Sequence, residues 1–284
     1  MKVGIIANPH KAGAKAALER LGDVLRADGL EAILSRETAE LAGETGGLSD
    51  SELAEAADVI AVLGGDGTML NAMARLGGTE KPIAGINIGT LGFLTSCTDG
   101  EIDSFGAALK SGNYSTSRRT LISARVIREG EEPREFIALN EAVLARGQTG
   151  RLVSLSASVN GELLNNYRAD GLIVATPTGS TAYSLSAGGP LISPSAGVFV
   201  ITPICPHTLS QRSLIVDDEV VIELSPEDTS DGPMLFTVDG RDCMEILAKD
   251  RIEVRKAAQK LNLLRLEDRS FYAALRQKLN WRGG

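Results

Sequence analysis

The chain has 284 residues, enough for one large domain or for two modest domains that each have a hydrophobic core. Its net charge of −8 and the lack of a basic stripe argue against a nucleic-acid partner or an anionic membrane surface. The 3 cysteines are far apart in sequence, which indicates reduced thiols rather than disulfides or a zinc site. No apolar run approaches the roughly 20 residues of a membrane helix, so we expect a cytoplasmic protein.

The first ~115 residues alternate strand and helix patterns, which predicts an α/β domain with a parallel, Rossmann-like sheet. Residues 39–50 contain several glycines and predict a surface loop. The predicted strands are 3–7, 31–35, 59–63 and 82–88, and the predicted helices are 16–25, 51–57 and 69–76.

The segment 64–68 follows a β-branched apolar strand and places glycines on both sides of one carboxylate, Asp66. Glycines let the backbone approach a ligand closely, and a helix that begins with a cap near Thr68 favours an anion at its N-terminus. A carboxylate among phosphate-binding amides is electrostatically unfavourable, so Asp66 is the first candidate for a catalytic residue. A second glycine-rich turn, 87–93, follows the next strand at the same edge of the sheet, where α/β folds bind ligands.

After Arg118 the pattern changes to short β-like runs between Gly, Asn, Asp or Pro turns, which predicts a β-rich domain, a β-sandwich. The pair Arg118-Arg119 is interpreted as the solvated start of a strand. The predicted runs are 121–128, 137–145, 152–159, 172–175, 198–203 and 220–224. Phe271, Leu275 and Leu279 share one helical face and predict a final helix that packs back on the body.

The sequence thus predicts an α/β nucleotide- and phosphate-binding domain over 1–115 and a β-rich domain over 116–268. The C-terminal helix is expected over 269–284.

A hydroxyl-rich loop, 176–190, follows the run 172–175. Hydroxyls and bare amides suit ribose hydroxyls and phosphate oxygens without adding negative charge, and Tyr183 can stack on a base. A Ser/Gly turn on the surface has the same composition and stays open as an alternative.

Other polar positions are less distinctive. Asn140-Glu141 interrupts an apolar run, as edge strands and bulges often do, and Asp239-Gly240 has the spacing of a hairpin turn. The chain has no Gly-x-x-x-x-Gly-Lys-Ser/Thr motif, which excludes a P-loop NTPase, and lacks the dinucleotide fingerprint after its first strand. With only 2 histidines, a His-rich metal site is excluded as well.

Taken together, these segments resemble the NAD kinase family over most of the chain. The segments that carry the resemblance are Gly64-Gly65-Asp66-Gly67-Thr68, Asn87-x-Gly89-x-Leu91-Gly92-Phe93, Asn140-Glu141, the loop 176–190 and Pro206-His207-Thr208-Leu209-Ser210-x-Arg212. The resemblance implies an α/β N-terminal domain and a β-rich C-terminal domain that binds NAD, with the active site in the cleft between them. It also implies transfer of the γ-phosphoryl group of ATP to the 2′-hydroxyl of the adenosine ribose of NAD, with Mg²⁺ as the divalent cation.

Carried over by position, Asp66 matches the proposed proton acceptor of the family, and no residue is assigned to the metal. The implied substrate and nucleotide contacts are Gly65, Gly67, Thr68, Asn87, Asn140, Glu141, Arg151, Arg168, Asp170, Thr181, Ala182, Tyr183, Ser184, Leu185, Ser186 and Arg241. Arg168 resembles members that prefer NAD to NADH and ATP to polyphosphate. Arg241 departs from the glutamine that relatives often carry after the late Asp-Gly pair.

The family also implies a homodimer or homotetramer. Three alternatives remain open: a lipid kinase of the diacylglycerol or sphingosine type, which shares the glycine-rich aspartate loop, a nicotinamide-dependent oxidoreductase, and a non-catalytic nucleotide sensor.

Overall fold

The computed structural model describes residues 1–147, 151–228, 233–266 and 270–281. It divides into two compact units, of which the first comprises Met1–Arg118 with Gln259–Gly284 and the second comprises Arg119–Ala258. The chain passes from the first unit to the second after Arg118, close to the predicted boundary at 115. It re-enters the first unit at Gln259, ten residues before the predicted boundary at 269. None of the helices in the described part of the chain is long and apolar enough to span a membrane.

The first unit is an α/β unit with a parallel sheet, as predicted. Its elements up to residue 111 are β1 (Lys2–Ala7), α1 (Ala14–Ala27), β2 (Glu31–Leu34), α2 (Arg36–Ala42), α3 (Asp50–Ala56), β3 (Val59–Leu63), α4 (Asp66–Arg75), β4 (Ile83–Asn87), β5 (Cys97–Thr98) and α5 (Ile102–Ser111). The parallel strands lie in the order β2-β1-β3-β4, and β5 pairs with β4. The direction of strand addition reverses at β1, which creates the switch point where open α/β sheets bind ligands.

Apolar packing fixes the sheet of the first unit. The strands β3 and β4 are buried along their whole length, as expected for parallel strands covered on both faces. Helix α1 packs Leu21 and Leu25 on one face of this sheet, beside Phe105 of α5. Burial of each such side chain contributes about 1.5–3 kcal/mol.

Two expectations for this unit are wrong in detail. Residues 39–42, expected in a loop, form the end of α2, because Thr38 and Ala39 are buried and the helix ends only at Gly43 with φ 80°. Helix α4 begins at Asp66 with Gly65 as its N-cap and no side-chain cap, not with a cap near Thr68. The carboxylate of Asp66 therefore belongs to the first turn of the helix.

The second unit is built from antiparallel strands and one short helix. Its elements, including the two strands that also extend into the first unit, are β6 (Tyr114–Ile127), β7 (Arg134–Ala138), β8 (Glu141–Arg146), β9 (Val153–Val159), β10 (Glu162–Ala169), β11 (Gly171–Ala175), α6 (Tyr183–Ser186), β12 (Val198–Ile204), β13 (Leu214–Asp217), β14 (Ile222–Asp228), β15 (Met234–Val238), β16 (Arg241–Ile246) and β17 (Arg251–Leu266). One sheet has the order β13-β12-β11-β8-β15-β16. In the other, β10, β9, β14 and β17 are neighbours, and β6 pairs with β17 and β7.

The two sheets of the second unit share one apolar core. Phe199 and Phe236 come from the first of these sheets, Leu155 and Leu224 from the second, and all four are fully buried in the same cluster. This arrangement confirms the predicted β-sandwich. The predicted run 137–145 is two strands, because the backbone leaves β7 after Ala138 and enters β8 only at Glu141.

The C-terminal helix α7 (Phe271–Lys278) returns to the first unit. The hydroxyl of Ser270 caps it by accepting the Ala273 N–H at 3.0 Å. Ala274 and Leu275 are buried, and the Phe271 ring lies 6.4 Å from the Phe93 ring.

Two helical glycines should respond in opposite ways to alanine. A Cβ on Gly106 in α5 would contact the Val24 side chain and lie 2.8 Å from Oδ2 of Asp28, both in or at the end of α1. We expect Gly106→Ala to lower the free energy of unfolding by about 1–3 kcal/mol. A Cβ on Gly22 would meet nothing within 4 Å, so Gly22→Ala should raise it by about 0.4–1 kcal/mol. Urea unfolding of both variants checks this; a shift of both in the same direction contradicts it.

Candidate functional site

Three loops meet at the carboxyl edge of the sheet in the first unit. They follow β1, β3 and β4, and backbone hydrogen bonds join the three strand ends. The N–H of Asn8 donates to the Leu63 carbonyl at 3.1 Å, and the N–H of Gly64 donates to the Ile86 carbonyl at 2.9 Å. The loops 8–13, 64–68 and 87–93 therefore lie side by side at the switch point.

Two positions at this edge require glycine because a side chain lies too close to the backbone there for a Cβ atom. A Cβ on Gly64, whose φ is 154°, would collide with the Thr68 side chain, and a Cβ on Gly92 would collide with the Asp66 carboxylate. The glycines therefore let the backbone fold tightly around one hydroxyl and one carboxylate.

The Asp66 carboxylate is fixed by main-chain donors. Its Oδ2 accepts the Phe93 N–H and its Oδ1 accepts the Leu94 N–H, each at 3.0 Å. The side chain is half-buried in the first turn of α4, where the helix dipole favours a negative charge. These groups offset the electrostatic cost that the sequence suggested, and they fix the direction in which the carboxylate points.

Asn87 shapes the second turn of the same edge. It is 8% exposed, and its side-chain amide donates to the Thr90 carbonyl. Its Oδ1 lies 3.4 Å from the position that a Cβ on Gly65 would occupy, so the two loops are in direct contact. Gly65, Gly67 and Thr68 thus belong to the same loop as Asp66, and Asn87 belongs to the loop beside it; their contacts with a ligand stay predictions.

In the second unit, a hairpin turn carries a buried carboxylate. Asp239 and Gly240 have φ of 49° and 71°, the left-handed pair of a type I′ turn between β15 and β16. The Asp239 side chain is fully buried and accepts three backbone N–H groups, from Leu139 at 2.9 Å, Asn140 at 2.8 Å and Glu141 at 3.1 Å. The hairpin interpretation is confirmed, and the turn also fixes the backbone between β7 and β8.

Glu141 has an unusual environment. It is 6% exposed, and its Oε2 is buried without a hydrogen-bond partner among the described residues. Burial, then the negative charge of Asp239, raise the pKa of Glu141 to about 8, against the backbone N–H of Tyr183, which lowers it. The carboxyl is therefore largely protonated at neutral pH, and one oxygen is left to bond a ligand.

Burial also raises the pKa of Asp239, while the three backbone N–H groups and Arg241 act in the opposite direction. The Arg241 guanidinium lies 3.7 Å from Oδ2 of Asp239 and donates to the Ile137 carbonyl at 3.4 Å. Arg241 therefore supports the turn, and its predicted ligand contact stays a prediction.

The hydroxyl loop lies against the backbone of Asn140. A Cβ on Gly179 would collide with the Asn140 carbonyl, and that carbonyl accepts the Thr176 N–H at 2.8 Å. The buried hydroxyls of the loop have partners within the protein: Thr176 bonds the Leu139 carbonyl at 2.6 Å, and Ser184 lies 2.9 Å from the Thr202 hydroxyl. These hydroxyls fold the loop.

Other members of the loop remain accessible. The Tyr183 residue is 44% exposed, and Ser186 is exposed as well, whereas Thr181, Ala182 and Leu185 are half-buried. The structure therefore brings Asn140, Glu141 and the 181–186 segment together in the second unit.

The three remaining predicted residues lie elsewhere in the second unit. Arg168 is exposed on β10, and Asp170 just after it forms an ion pair with Arg146 at 2.7 Å. Arg151 is exposed before β9. The place of these three residues in the site stays a prediction.

Sequence reasoning missed two residues. Arg119, expected at a solvated strand start, is 2% exposed, and its Nη1 donates to the Thr178 hydroxyl at 3.4 Å. The two-residue period of β6 places Arg119 on the face opposite the core residues Ile122, Ala124 and Val126, so the sequence pattern did not indicate its burial. Asn8 contacts Thr68 across the loops of the first unit, and a single sequence gives no signal for that contact.

Comparison with known families matches both units. Residues 3–114 match the family described as ATP-NAD kinase N-terminal domain, and residues 139–266 match the ATP-NAD kinase C-terminal domain. The chain is similar to the NAD kinase of Natranaerobius thermophilus, with 38% identity over 98% of this chain and 97% of that protein. The NAD kinase of Chlorobium luteolum is 40% identical over 99% of this chain and 97% of its own length.

Solved structures show the same fold. The yeast NADH kinase complexed with NADH superposes with a TM-score of 0.90 at 26% identity, over 100% of this chain and 89% of that one. An NAD kinase from Archaeoglobus fulgidus in complex with ATP gives a TM-score of 0.78 at 24% identity over the full length of both chains.

The ionisation of Glu141 should make stability depend on pH. Its pKa is about 8 in the folded protein and 4.5 in the unfolded chain, so between these values the folded state holds a proton that the unfolded state has lost. Stability conferred by this group is therefore complete below pH 4.5 and falls as the pH rises toward 8, by about 1.4 kcal/mol per pH unit.

Glu141→Gln should remove this slope, which urea unfolding at several pH values between 5 and 8 measures. The matched control is Glu162→Gln, at an exposed position on β10, which should keep the wild-type slope. Equal slopes in wild type and Glu141→Gln would show that the carboxyl is ionised in the folded protein.

Proposed function

The chain belongs to the NAD kinase family, and from this premise we propose that it transfers the γ-phosphoryl group of ATP to the 2′-hydroxyl of the adenosine ribose of NAD, producing NADP. Its enzyme class is that of its relatives, which are named NAD kinases. The observation that carries the mechanism is the half-buried Asp66 carboxylate, held by two backbone N–H groups inside the glycine loop.

Phosphoryl transfer needs positioned groups and neutralised charge more than it needs covalent chemistry. In the first unit, the free N–H groups at the start of α4 and the glycines of the 64–68 loop suit the oxygens of the ATP phosphates. Asp66 would orient the acceptor hydroxyl and take its proton late in the transfer, when a weak base is sufficient. The N–H groups of Phe93 and Leu94 keep the carboxylate in one orientation for this step.

The donor set fits a magnesium ion carried by the nucleotide. Within the described ranges, no three His, Cys, Asp or Glu side chains gather to hold a metal. Mg²⁺ in kinases keeps several waters and is held largely by the substrate phosphates, so the phosphates bound at the 64–68 loop would supply its oxygen ligands, with Asp66 kept as the proton acceptor. When bound, the ion would neutralise charge on the transferred phosphoryl group.

In the second unit, Asn140, Glu141 and the hydroxyl loop would hold NAD. The unpartnered Oε2 of Glu141 is a hydrogen-bonding group for a ribose hydroxyl, and the exposed ring of Tyr183 can stack on a base. The same site would be lined by Thr181, Ala182, Ser184, Leu185 and Ser186. The buried hydroxyls among them would contribute by holding the loop in shape. Arg151, Arg168 and Asp170 are proposed as further substrate contacts, and Arg168 favours NAD over NADH.

Two further properties stay predictions: a homodimer or homotetramer, which the family implies, and a cytoplasmic location, which the sequence alone suggests. The relatives described above are NAD and NADH kinases, so none of them favours a lipid kinase, an oxidoreductase or a nucleotide sensor.

Incubation with ATP, Mg²⁺ and NAD tests the function, with NADP measured by an NADP-specific dehydrogenase. We expect NADP to form with wild-type protein, and Asp66→Asn to lower kcat by about 10²–10⁴, the usual contribution of a general base. The amide would place its NH₂ group against one of the two backbone N–H donors, so its unfolding free energy should be measured in parallel.

Asn71→Asp, on the exposed face of α4, serves as the control for a changed charge on the same helix and should retain turnover. Absence of NADP with wild-type protein would overturn the proposed function. Near-normal turnover of Asp66→Asn would overturn only the role of Asp66.

A further inference from the structure

Asn8 is the residue that follows β1, and each of its polar groups has a partner. Its backbone N–H donates to Leu63, and its carbonyl accepts the Lys11 N–H at 3.1 Å. Its side-chain Oδ1 accepts the His10 N–H at 3.0 Å, and its Nδ2 lies 3.4 Å from Oγ1 of Thr68. The residue is therefore held in one place and joins the loop after β1 to the loop after β3.

This set of bonds determines which way the amide faces. The backbone N–H of His10 can only donate, so the atom of Asn8 beside it must be the oxygen. The nitrogen consequently faces Thr68, and an amide nitrogen can only donate. The Thr68 hydroxyl oxygen must act as the acceptor in this pair.

A hydroxyl that accepts from Asn8 keeps its own hydrogen for another partner. A hydroxyl has one donor hydrogen and two acceptor lone pairs, and among the described residues none accepts the hydrogen of Thr68. Thr68 is half-buried in the first turn of α4, and its side chain lies directly over Gly64. The hydrogen is thus available within the glycine loop, beside the free N–H groups of the helix.

We propose that Asn8 is a positioning residue that keeps the Thr68 hydroxyl as a hydrogen-bond donor to a phosphate oxygen of the phosphoryl donor. The inference rests on the proposed function, since it assumes that the 64–68 loop binds those phosphates. Phosphate oxygens only accept, so a hydroxyl with its hydrogen directed elsewhere would present a lone pair and repel them. In this proposal Asn8 acts on the nucleotide through Thr68, to which its Nδ2 donates.

Asn8→Asp tests the direction of this hydrogen bond with almost no change in shape. One carboxylate oxygen still accepts the His10 N–H, but the other can only accept, so Thr68 must turn its hydrogen toward it. We expect the KM for ATP to rise about 10-fold or more, as for the loss of one hydrogen bond to a charged group, while the KM for NAD changes less than two-fold. Asn8→Ala leaves the hydroxyl free to rotate and should raise the KM for ATP only about two- to five-fold.

Two controls separate this role from added charge and from lost structure. Asn71→Asp places the same new charge on the exposed face of α4 and should change the KM for ATP less than two-fold. In a Thr68→Val background there is no hydroxyl to orient, so Asn8→Ala should have no further effect on the KM for ATP. Thermal unfolding of every variant shows whether the fold is kept.

The possible outcomes separate a failure of the proposed function from a failure of the proposed role of Asn8. A wild-type protein that forms no NADP overturns the proposed function. An active wild type whose Asn8→Asp variant raises the KM for ATP no more than Asn71→Asp overturns the role of Asn8. The same holds if the effects of Asn8→Ala and Thr68→Val are additive, because independent contributions exclude action of one residue through the other.

Discussion

The second unit depends on one fully buried carboxylate, that of Asp239. Its burial carries a large desolvation cost, which three backbone N–H groups from residues 139–141 offset. These donors lie about a hundred residues earlier in the chain, so the bonds join the hairpin β15–β16 to the junction of β7 and β8. The same junction then supplies the carbonyls of Leu139 and Asn140 to Thr176. Asn140, Glu141 and the hydroxyl loop are therefore positioned through Asp239.

The first unit also contains a carboxylate bound by backbone N–H groups, but this one is partly exposed. The Asp66 carboxylate also accepts backbone N–H groups from a distant turn, at Phe93 and Leu94, but it is half-buried, whereas Asp239 is closed off completely. Both residues precede a glycine and would look alike in a motif search. Of the two, only Asp66 combines a fixed orientation with partial exposure at a helix N-terminus, which is why Asp66 and not Asp239 is proposed as the catalytic carboxylate. Asp239 performs a structural role that its sequence neighbours do not reveal.

Local sequence patterns account for most of the fold and for half of the site. The β-branched runs before Gly64 and after Arg118 predict the parallel sheet and the sandwich. Such a run is recognised as a buried strand from a few consecutive residues, so no contact with a distant segment has to be known. The sequence does not predict strand β10. It lies at the edge of its sheet and contains many polar residues, so it lacks the alternation of apolar and polar residues that identifies a strand. The sequence predicts a loop at residues 39–42, which belong to α2, because Gly43, Gly46 and Gly47 follow directly and Gly43 terminates the helix.

The remaining part of the site depends on contacts between distant segments. Nothing near Asp239 in the sequence indicates Leu139, and nothing near Asn8 indicates Thr68. The many Ser and Thr residues of the hydroxyl loop predict a ligand-binding loop or a surface turn, yet Thr176, Thr178, Ser180 and Ser184 are buried in the structure. The composition of the loop does not distinguish Ser184, whose hydroxyl is used inside the protein, from Ser186, which is exposed. That difference is set by the packing of the loop on β12, through Thr202.

Burial, and after it the negative charge of Asp239, raise the pKa of Glu141 to about 8. Burial raises the pKa of Asp239 as well, but three backbone N–H donors and Arg241 oppose that rise, whereas Glu141 has only the backbone N–H of Tyr183 to lower its pKa. A neutral carboxyl at this position can donate to or accept from a ribose hydroxyl, and it adds no negative charge near the two phosphates of a dinucleotide. Among the described residues the Oε2 of Glu141 has no hydrogen-bond partner, which costs stability in the free protein, and a hydroxyl bound there would remove that cost.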